Sequence, residues 1–539
     1  MKQKNFNPNN YNKLNNIRKK VLKDLNKNID LNNKKILEIG CGSGQLSKVV
    51  SNTFYGSYIH SIDIVNSYVE TARKNKLKNV NFETKNFYDL VGTYDSIIMM
   101  YTLTELLKEN NLKATFKEFN KKILEDGYLI LIEEFEDDYK ETNDLIGLKV
   151  MKHLGYKYIK YKEFVDTANA CGFEIEFTKI YDNKQKKLGI KGSKLQIFYE
   201  NKLNEFENTK KYDSEEIWNS VKEIVISNNG MRTYNKSRMV VLKKKNFSKA
   251  RLENIKKDRF LYFSKKNIEA NLLYYLDLNI KNLEFAFPIK TFPHKDVIEI
   301  FDKYNFNFDV SNENEMKLIE KYKKKCFYSD PTDVLKDRKS LRLNIRNTHS
   351  HFGKNYDGET YEKYHVHISS PKTEKVRDAI INQLSKLNYN DTKYLNIGGG
   401  YEQLSYLEIL QFLKKIRNII PENIKIVIEA GSLWFKNSGF LVGRITNINN
   451  VRGVKFVFLN ISRELHAKWS KPIYINTNVG NNDYIICGNT CYEKDLFAHV
   501  HNTDIKIGNK IYFKNIEPYS FGLNSEFNGI KQVEVIIDE

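Results

Sequence analysis

Over roughly the first half of the chain, short apolar runs alternate with amphipathic stretches, and the rhythm changes twice further on. Lys35–Ile39, Ser57–Ile62, Val80–Thr84, Tyr94–Met100 and Gly127–Glu133 are runs of strand length separated by helical patterns. That alternation predicts a doubly wound α/β domain with a mainly parallel sheet. Phe173–Phe177 and Arg238–Leu242 read as a closing pair of strands. Between them, Asp213-Ser-Glu-Glu216 has capping-box spacing, Asn228-Asn-Gly230 is a stop, and Ile217, Val221, Ile224 and Val225 share one face. The expectation is a helix packed on the domain core and not a lid.

The lysine-rich run Lys243–Lys249 marks a boundary, and the rhythm restarts with Phe260–Phe263, a helix from Asn267 to Leu278, and Leu283–Pro288. Further strand and helix units continue to Glu429, which predicts an α/β barrel. Beyond Gly443 the segments become short and β-rich, with Gly and Asn turns. The organisation expected is a polar segment over 1–33, a Rossmann-like domain over 34–245, a barrel over 258–442 and an all-β domain over 443–539.

A length of 539 residues gives room for two or three cores. The net charge of +20 comes from lysines spread along the whole chain, so solvated faces explain it better than a nucleic-acid groove, and an anionic small substrate stays compatible. Five scattered cysteines and a polar amino terminus point to a reducing cytoplasm, and no apolar run approaches membrane-spanning length.

Candidate chemistry begins at Ile36-Leu-Glu-Ile-Gly-Cys-Gly-Ser-Gly44, a glycine-rich loop between a strand and a helix, with Asp63 ending the next strand. Such a loop lets backbone approach a nucleotide, and such an acid can hold ribose hydroxyls. The alternate glycines lack the GxGxxG spacing of a dinucleotide site. The fuller string resembles motif I of class I S-adenosylmethionine-dependent methyltransferases over residues 34 to 242. By that resemblance Glu38 and Gly40 lie near the methionine moiety, Gly42 and Gly44 belong to the same cofactor-binding loop, Asp63 binds the ribose, Asn86 and Phe87 flank the adenine, and Tyr101 follows the fourth strand. Asn86 stands where the family usually has Asp.

A second set of fragments follows in order: Lys290 after Phe285-Ala-Phe-Pro-Ile, Asp309 and Glu315, His367 and Ser370, Gly398-Gly399-Gly400, Glu429, Cys491, and Tyr519 upstream of Phe527-Asn-Gly529. Their succession resembles the fold type III decarboxylases, the ornithine and diaminopimelate decarboxylase group. The resemblance implies pyridoxal 5'-phosphate held covalently by Lys290, His367 stacked on its ring, and Glu429 at its pyridine nitrogen. Asp309 and Glu315 belong to the same pocket, while Ser370, Gly398 to Gly400 and Tyr519 would hold the phosphate. Cys491 would come from a partner subunit and assist reprotonation, which implies a homodimer. Ser432 stands where the family usually has an arginine, and Tyr492 where it has an acid. Three His-x-His pairs, at His349 and His351, His365 and His367, and His499 and His501, lack the further ligands of a metal shell, so no metal is expected.

The pairing of a sulfonium-dependent transferase with a decarboxylase suggests consecutive steps. Transfer of a 3-amino-3-carboxypropyl group followed by loss of its carboxylate leaves an aminopropyl group. The arrangement resembles the pair that aminopropylates microcin C-type peptide-nucleotide antibiotics, which implies a peptidyl-nucleotide acceptor. Methyl transfer joined to amino-acid decarboxylation is the alternative, and a scaffold with decayed sites is a third reading.

Overall fold

The computed structural model describes residues 15–182, 187–208, 212–232, 236–245, 247–322, 326–328, 345–346, 363–365, 373–390, 392–475 and 479–538. The chain divides into two compact units, Met1–Lys245 and Asn246–Glu539.

In the first unit the strands are β1 (Lys35–Ile39), β2 (Tyr58–Asp63), β3 (Val80–Thr84), β4 (Tyr94–Met100), β5 (Ile123–Glu133), β6 (Phe173–Asp182), the short pair β7 (Lys187–Leu188) and β8 (Met231–Arg232), and β9 (Lys236–Lys244). Seven of them form one sheet, ordered β3-β2-β1-β4-β5-β9-β6. All neighbours are parallel except β9, which runs antiparallel to both β5 and β6. The strands β1 and β4 are buried at every position, because helices cover both faces, and this is why they read as unbroken apolar runs. Leu37 and Ile39 join one core with Phe116, Phe119 and Phe164, while Ile36 faces the other with Ile98 and Ile130.

Two expectations are corrected here. Residues 15–28 are not a loose polar segment but a helix, whose Val21, Leu22 and Leu25 are buried in the second of those cores. Helix Ser214–Ser227 is capped as expected, the Asp213 carboxylate accepting from the Glu215 and Glu216 amides at 2.8 and 3.4 Å. It does not pack on the sheet, however. Its Ile217, Trp218, Val221 and Val225 form a separate small core with Ile146 and Val150 of helix Thr142–His153 and Ile197 of helix Ile190–Asn208. Most of this helical layer is inserted between neighbouring antiparallel strands: Asp182 of β6 lies opposite Lys236 of β9. The same sheet end carries Glu133, the last residue of β5, opposite Arg238.

In the second unit, β10 (Phe260–Ser264) is followed by seven parallel strands: β11 (Leu283–Pro288), β12 (Asn307–Val310), β13 (Cys326–Tyr328), β14 (Ile345–Arg346), β15 (Lys363–His365), β16 (Tyr394–Asn396) and β17 (Lys425–Ile428). Their order is β14-β13-β12-β11-β17-β16-β15, so the first strand of the series is bonded to the last, as a barrel requires. Then come β18 (Gly439–Val451), β19 (Val454–Leu459), β20 (Ile473–Tyr474), β21 (Val479–Cys487), β22 (Leu496–Thr503), β23 (Lys510–Lys514) and β24 (Glu534–Asp538). They make the second, mainly antiparallel sheet. The strand β10, expected as part of the barrel, belongs to this sheet instead, pairing with β18 and β24. Among the described residues no helix is long and apolar enough to cross a membrane.

Candidate active sites

The glycine loop after β1 is held in place from three directions. The amides of Gly40 and Cys41 both bond to the Ile62 carbonyl, at 2.9 and 3.0 Å, and the Gly42 amide donates to Asp63 Oδ2 at 2.9 Å. Asp63 Oδ1 accepts from the Val65 amide at 3.0 Å, so the carboxylate that ends β2 also organises the loop. Gly40 has φ +72°, and a Cβ there would lie 2.3 Å from Thr102 Oγ1. Gly42 differs: at φ +50° its added Cβ would meet nothing within 4 Å. Its backbone therefore faces open space, which is the approach a cofactor needs. Each Asp63 oxygen keeps a second lone pair for a ribose hydroxyl. Below the loop, buried Glu38 accepts from the hydroxyls of Ser61 (2.7 Å) and Ser47, which fixes its carboxylate. These residues fit S-adenosylmethionine.

The remaining candidates in this unit divide. Asn86 is on the surface, its amide donating to Glu109 at 3.0 and 3.2 Å and its oxygen accepting from the Tyr88 amide. Phe87 is 1% exposed, its ring 5.2 Å from both Tyr88 and Phe119, so it packs the core and does not present an adenine-flanking face. Tyr101 sits at φ +54° with its hydroxyl bonded to Ser237 of β9. Nearby lies a group the sequence pattern did not single out. Glu133 is buried, with its two oxygens accepting from the Leu103 and Glu134 amides at 3.1 Å each. Burial pushes its carboxyl up to about 8, against the pull of those two amides.

In the second unit, the candidates gather at the carboxyl ends of the barrel strands. Lys290 is in the turn that follows β11, Asp309 on β12, Asn396 ends β16 and Glu429 follows β17. Lys290 is solvent-accessible yet crowded by protein. Desolvation pulls its ammonium down, and the charges of Asp309 and Glu429, with smaller contributions from Tyr519 and Glu315, more than offset this, so its pKa lies above the ordinary lysine value. Asp309 and Glu429 are themselves 1% and 7% exposed. Asn396, fully buried, donates to Glu429 Oε1 while its own oxygen accepts from the Gly398 amide at 2.9 Å. Gly398 and Gly400 have φ of +66° and +83°, and a Cβ on Gly399 would lie 2.6 Å from the Glu429 carbonyl. The glycine turn and the acid are thus one packed unit.

The phenol of Tyr519 reaches the same place, accepting from Thr291 Oγ1 at 3.2 Å, one residue beyond Lys290. Phe521 stacks on Phe292 at 4.4 Å and clamps the two segments together. Glu315 is engaged locally, its oxygens accepting from the Ser311 amide (2.7 Å), Ser311 Oγ and Asn312. Cys491 is exposed on a turn fixed by Asp495, which accepts from Thr490 Oγ1 at 2.6 Å and from the Arg463 amide at 2.7 Å. Beside it, Tyr492 and Phe527 are exposed with ring centroids 6.2 Å apart. His367 and Ser370 lie outside the described residues. An accessible lysine among carboxylates, a buried acid held by an amide and a glycine turn fit pyridoxal phosphate. Among the described residues no group of three or more His, Cys, Asp or Glu could hold a metal ion.

Residues 13–178 match a family model described as a methyltransferase domain. The chain is 30% identical over 112 residues to a malonyl-[acyl-carrier protein] O-methyltransferase of Bacillus anthracis, covering 20% of this chain and 40% of that protein. A namesake from Bacillus cereus is 29% identical over 112 residues, with the same coverages. The chain thus spans well under half the length of these curated relatives. Among solved structures, an arginine decarboxylase of Paramecium bursaria Chlorella virus bound to agmatine aligns at 15% identity and TM-score 0.45, over 54% of this chain and 100% of that one. A lysine/ornithine decarboxylase of Vibrio vulnificus complexed with cadaverine aligns at 15% identity and TM-score 0.46, over 54% and 97%. A carboxynorspermidine decarboxylase of Campylobacter jejuni complexed with norspermidine aligns at 16% identity and TM-score 0.44, over 52% and 94%. The amino-terminal part of the chain carries a methyltransferase domain.

Proposed function

We propose that this chain is a bifunctional enzyme of the cytoplasm, joining an S-adenosylmethionine-dependent transferase to a pyridoxal-phosphate-dependent amino-acid decarboxylase. It adds a 3-amino-3-carboxypropyl group to a small or peptidyl-nucleotide acceptor and decarboxylates it to aminopropyl, as a step of antibiotic maturation. The observation that carries the reading is the presence in one polypeptide of the Gly40–Gly44 loop with Asp63 and of Lys290 among Asp309, Glu429 and Tyr519.

S-adenosylmethionine, when bound, supplies an electrophilic carbon next to its sulfonium. The chain's part in the first step is alignment: Asp63 and Gly42 hold the ribose end, and Glu38 shapes the floor. Pyridoxal phosphate, when bound to Lys290, supplies a sink for the electron pair left as carbon dioxide departs. Glu429 holds a proton at the pyridine nitrogen, with Asn396 fixing the carboxylate. Gly398 to Gly400 and Tyr519 hold the phosphate, and the exposed turn bearing Cys491 brings a proton donor to the site of a second copy in a homodimer.

Methyl transfer coupled to decarboxylation is the second reading, favoured by the malonyl-[acyl-carrier protein] O-methyltransferase relatives. Incubation with carboxyl-labelled S-adenosylmethionine and candidate nucleotides separates the two. Methylthioadenosine together with released labelled carbon dioxide is expected; S-adenosylhomocysteine as coproduct overturns the aminocarboxypropyl reading.

A further inference from the structure

Trp469 is unusual both in its backbone and in its exposure. Its φ is +65° and its side chain is 67% exposed, whereas the other tryptophans, Trp218 and Trp434, are 9% and 0% exposed. Left-handed backbone suits Gly or Asn, and a bulky residue adopts it only where its surroundings impose it. The chain otherwise follows that preference: among the described residues most non-glycine positions with positive φ are Asn, and the aromatic exceptions are Tyr101, which follows β4, and Trp469. Several bonds impose the turn at Trp469. The Ser470 amide donates to the Ala467 carbonyl at 3.0 Å, Ser470 Oγ accepts from the Glu517 amide at 2.9 Å, and Ser520 Oγ donates to the Lys468 carbonyl at 3.3 Å. Just before it, fully buried His466 links the Ser462 amide (3.0 Å) to the Lys531 carbonyl (3.2 Å). The indole is thereby set against Tyr519, with ring centroids 5.6 Å apart, and the Tyr519 phenol meets Thr291 Oγ1 at 3.2 Å, one residue beyond Lys290. Trp469 thus stands one ring outward from the wall of the Lys290 pocket.

Exposed Lys468 and Lys471 flank Trp469 in the chain. An aromatic plane between cations suits a flat heterocycle joined to an anion, the base held by stacking and the phosphate by charge. Charge also argues against a second copy as the occupant, since each copy carries a net charge of +20. We propose that Lys468, Trp469 and Lys471 form a nucleotide-binding platform at the mouth of the Lys290 pocket. The indole stacks on the base and the ammonium groups draw the phosphate, so the nucleotide end of the substrate stays outside while its amino-acid end reaches Lys290. This rests on the proposed peptidyl-nucleotide acceptor. The rigidity of the turn contributes to affinity, because an indole already fixed in place loses little freedom when a base stacks on it.

The test titrates adenosine monophosphate into full-length protein supplied with pyridoxal 5'-phosphate and saturated with S-adenosylhomocysteine, so that neither cofactor site is open to the probe. Binding is followed by calorimetry and by quenching of tryptophan fluorescence. The variant is Trp469→Gly, because glycine suits the positive φ and keeps the turn. It should bind adenosine monophosphate at least about fivefold more weakly than wild type, and most of the quenching should vanish, since the other tryptophans are buried. Lys468→Ala combined with Lys471→Ala should weaken adenosine monophosphate and leave adenosine unchanged; an equal loss for adenosine overturns the part given to the lysines. Equal affinity of wild type and Trp469→Gly overturns the platform. So does a Trp469→Gly protein that sediments as a smaller species with unchanged affinity per protomer, which makes the indole an interface residue. Both of these outcomes leave the transferase and decarboxylase reading standing. S-adenosylhomocysteine as coproduct of the labelled incubation overturns aminocarboxypropyl transfer instead, without altering the affinities measured here.

Discussion

Glu133 offers a quantitative handle on the end of the sheet where the transferase chemistry is proposed. Its carboxyl is raised from the ordinary 4.5 to about 8 by burial. It is therefore protonated in the folded protein at neutral pH and ionised in the unfolded chain. Between those two values the native state binds one more proton than the unfolded state, so folding stability falls as pH rises and levels off above about 8. The full shift corresponds to about 5 kcal/mol, an upper bound that relaxation and water entry reduce, and the slope within the window is about 1.4 kcal/mol per pH unit. Replacement by Gln keeps the shape without an ionisable group, although its single oxygen can take the place of only one of the two that accept from the Leu103 and Glu134 N–H groups. Calorimetric unfolding of both proteins at pH 5, 6, 7 and 8, resolved into transitions for the two units, measures the difference. The lost acceptor shifts the variant by a constant at every pH; relative to its difference from wild type at pH 5, the variant should gain steadily above it, by roughly 2–5 kcal/mol at pH 8. Parallel curves would refute the reasoning, since Glu133 would then carry the same proton count folded and unfolded.

Two further substitutions probe other parts of the molecule. Asp138→Ala removes the carboxylate that accepts from Arg238 Nε at 2.9 Å and strands a mostly buried guanidinium, so a loss of about 3–5 kcal/mol in the stability of the first unit is expected by denaturant unfolding. Asn396→Ala leaves buried Glu429 and the Gly398 amide each without that partner. It should destabilise the second unit by about 1–3 kcal/mol and lower the visible absorbance of protein titrated with pyridoxal phosphate.

The parallel strands were legible because β1, β4 and much of β5 are buried on both faces, which leaves no polar alternation to confuse with a surface. The helix at Asn15–Asn28 was obscured by Asn and Lys around its buried Val21, Leu22 and Leu25. Caps and stops located helix Ser214–Ser227, but a local pattern cannot tell which core receives an apolar face, and that face joins Ile146 and Ile197 instead of the sheet. The strand β10 shows the same limit: its five buried residues suit either sheet, and only long-range pairing with β18 and β24 assigns it. At the sites, Gly40, Asp63, Lys290 and Glu429 stand out because their chemistry is carried by residue type. Asn396 lies two residues before the glycine turn, yet its importance comes from a bond to a residue 33 positions away. Glu133 gave no local signal, since burial and not identity makes it unusual.

The insertion between β6 and β9 sets a kinetic problem for synthesis and refolding. Two strands that could be joined by a tight turn must find each other across roughly fifty residues, and the closure entropy exceeds that of a four-residue hairpin by about 2 kcal/mol. On the simplest estimate this slows zipping of the sheet edge some thirtyfold or more, unless helices Ile190–Asn208 and Ser214–Ser227 collapse early and draw Asp182 towards Lys236. The helical layer would then act as a splint for the last strands to assemble.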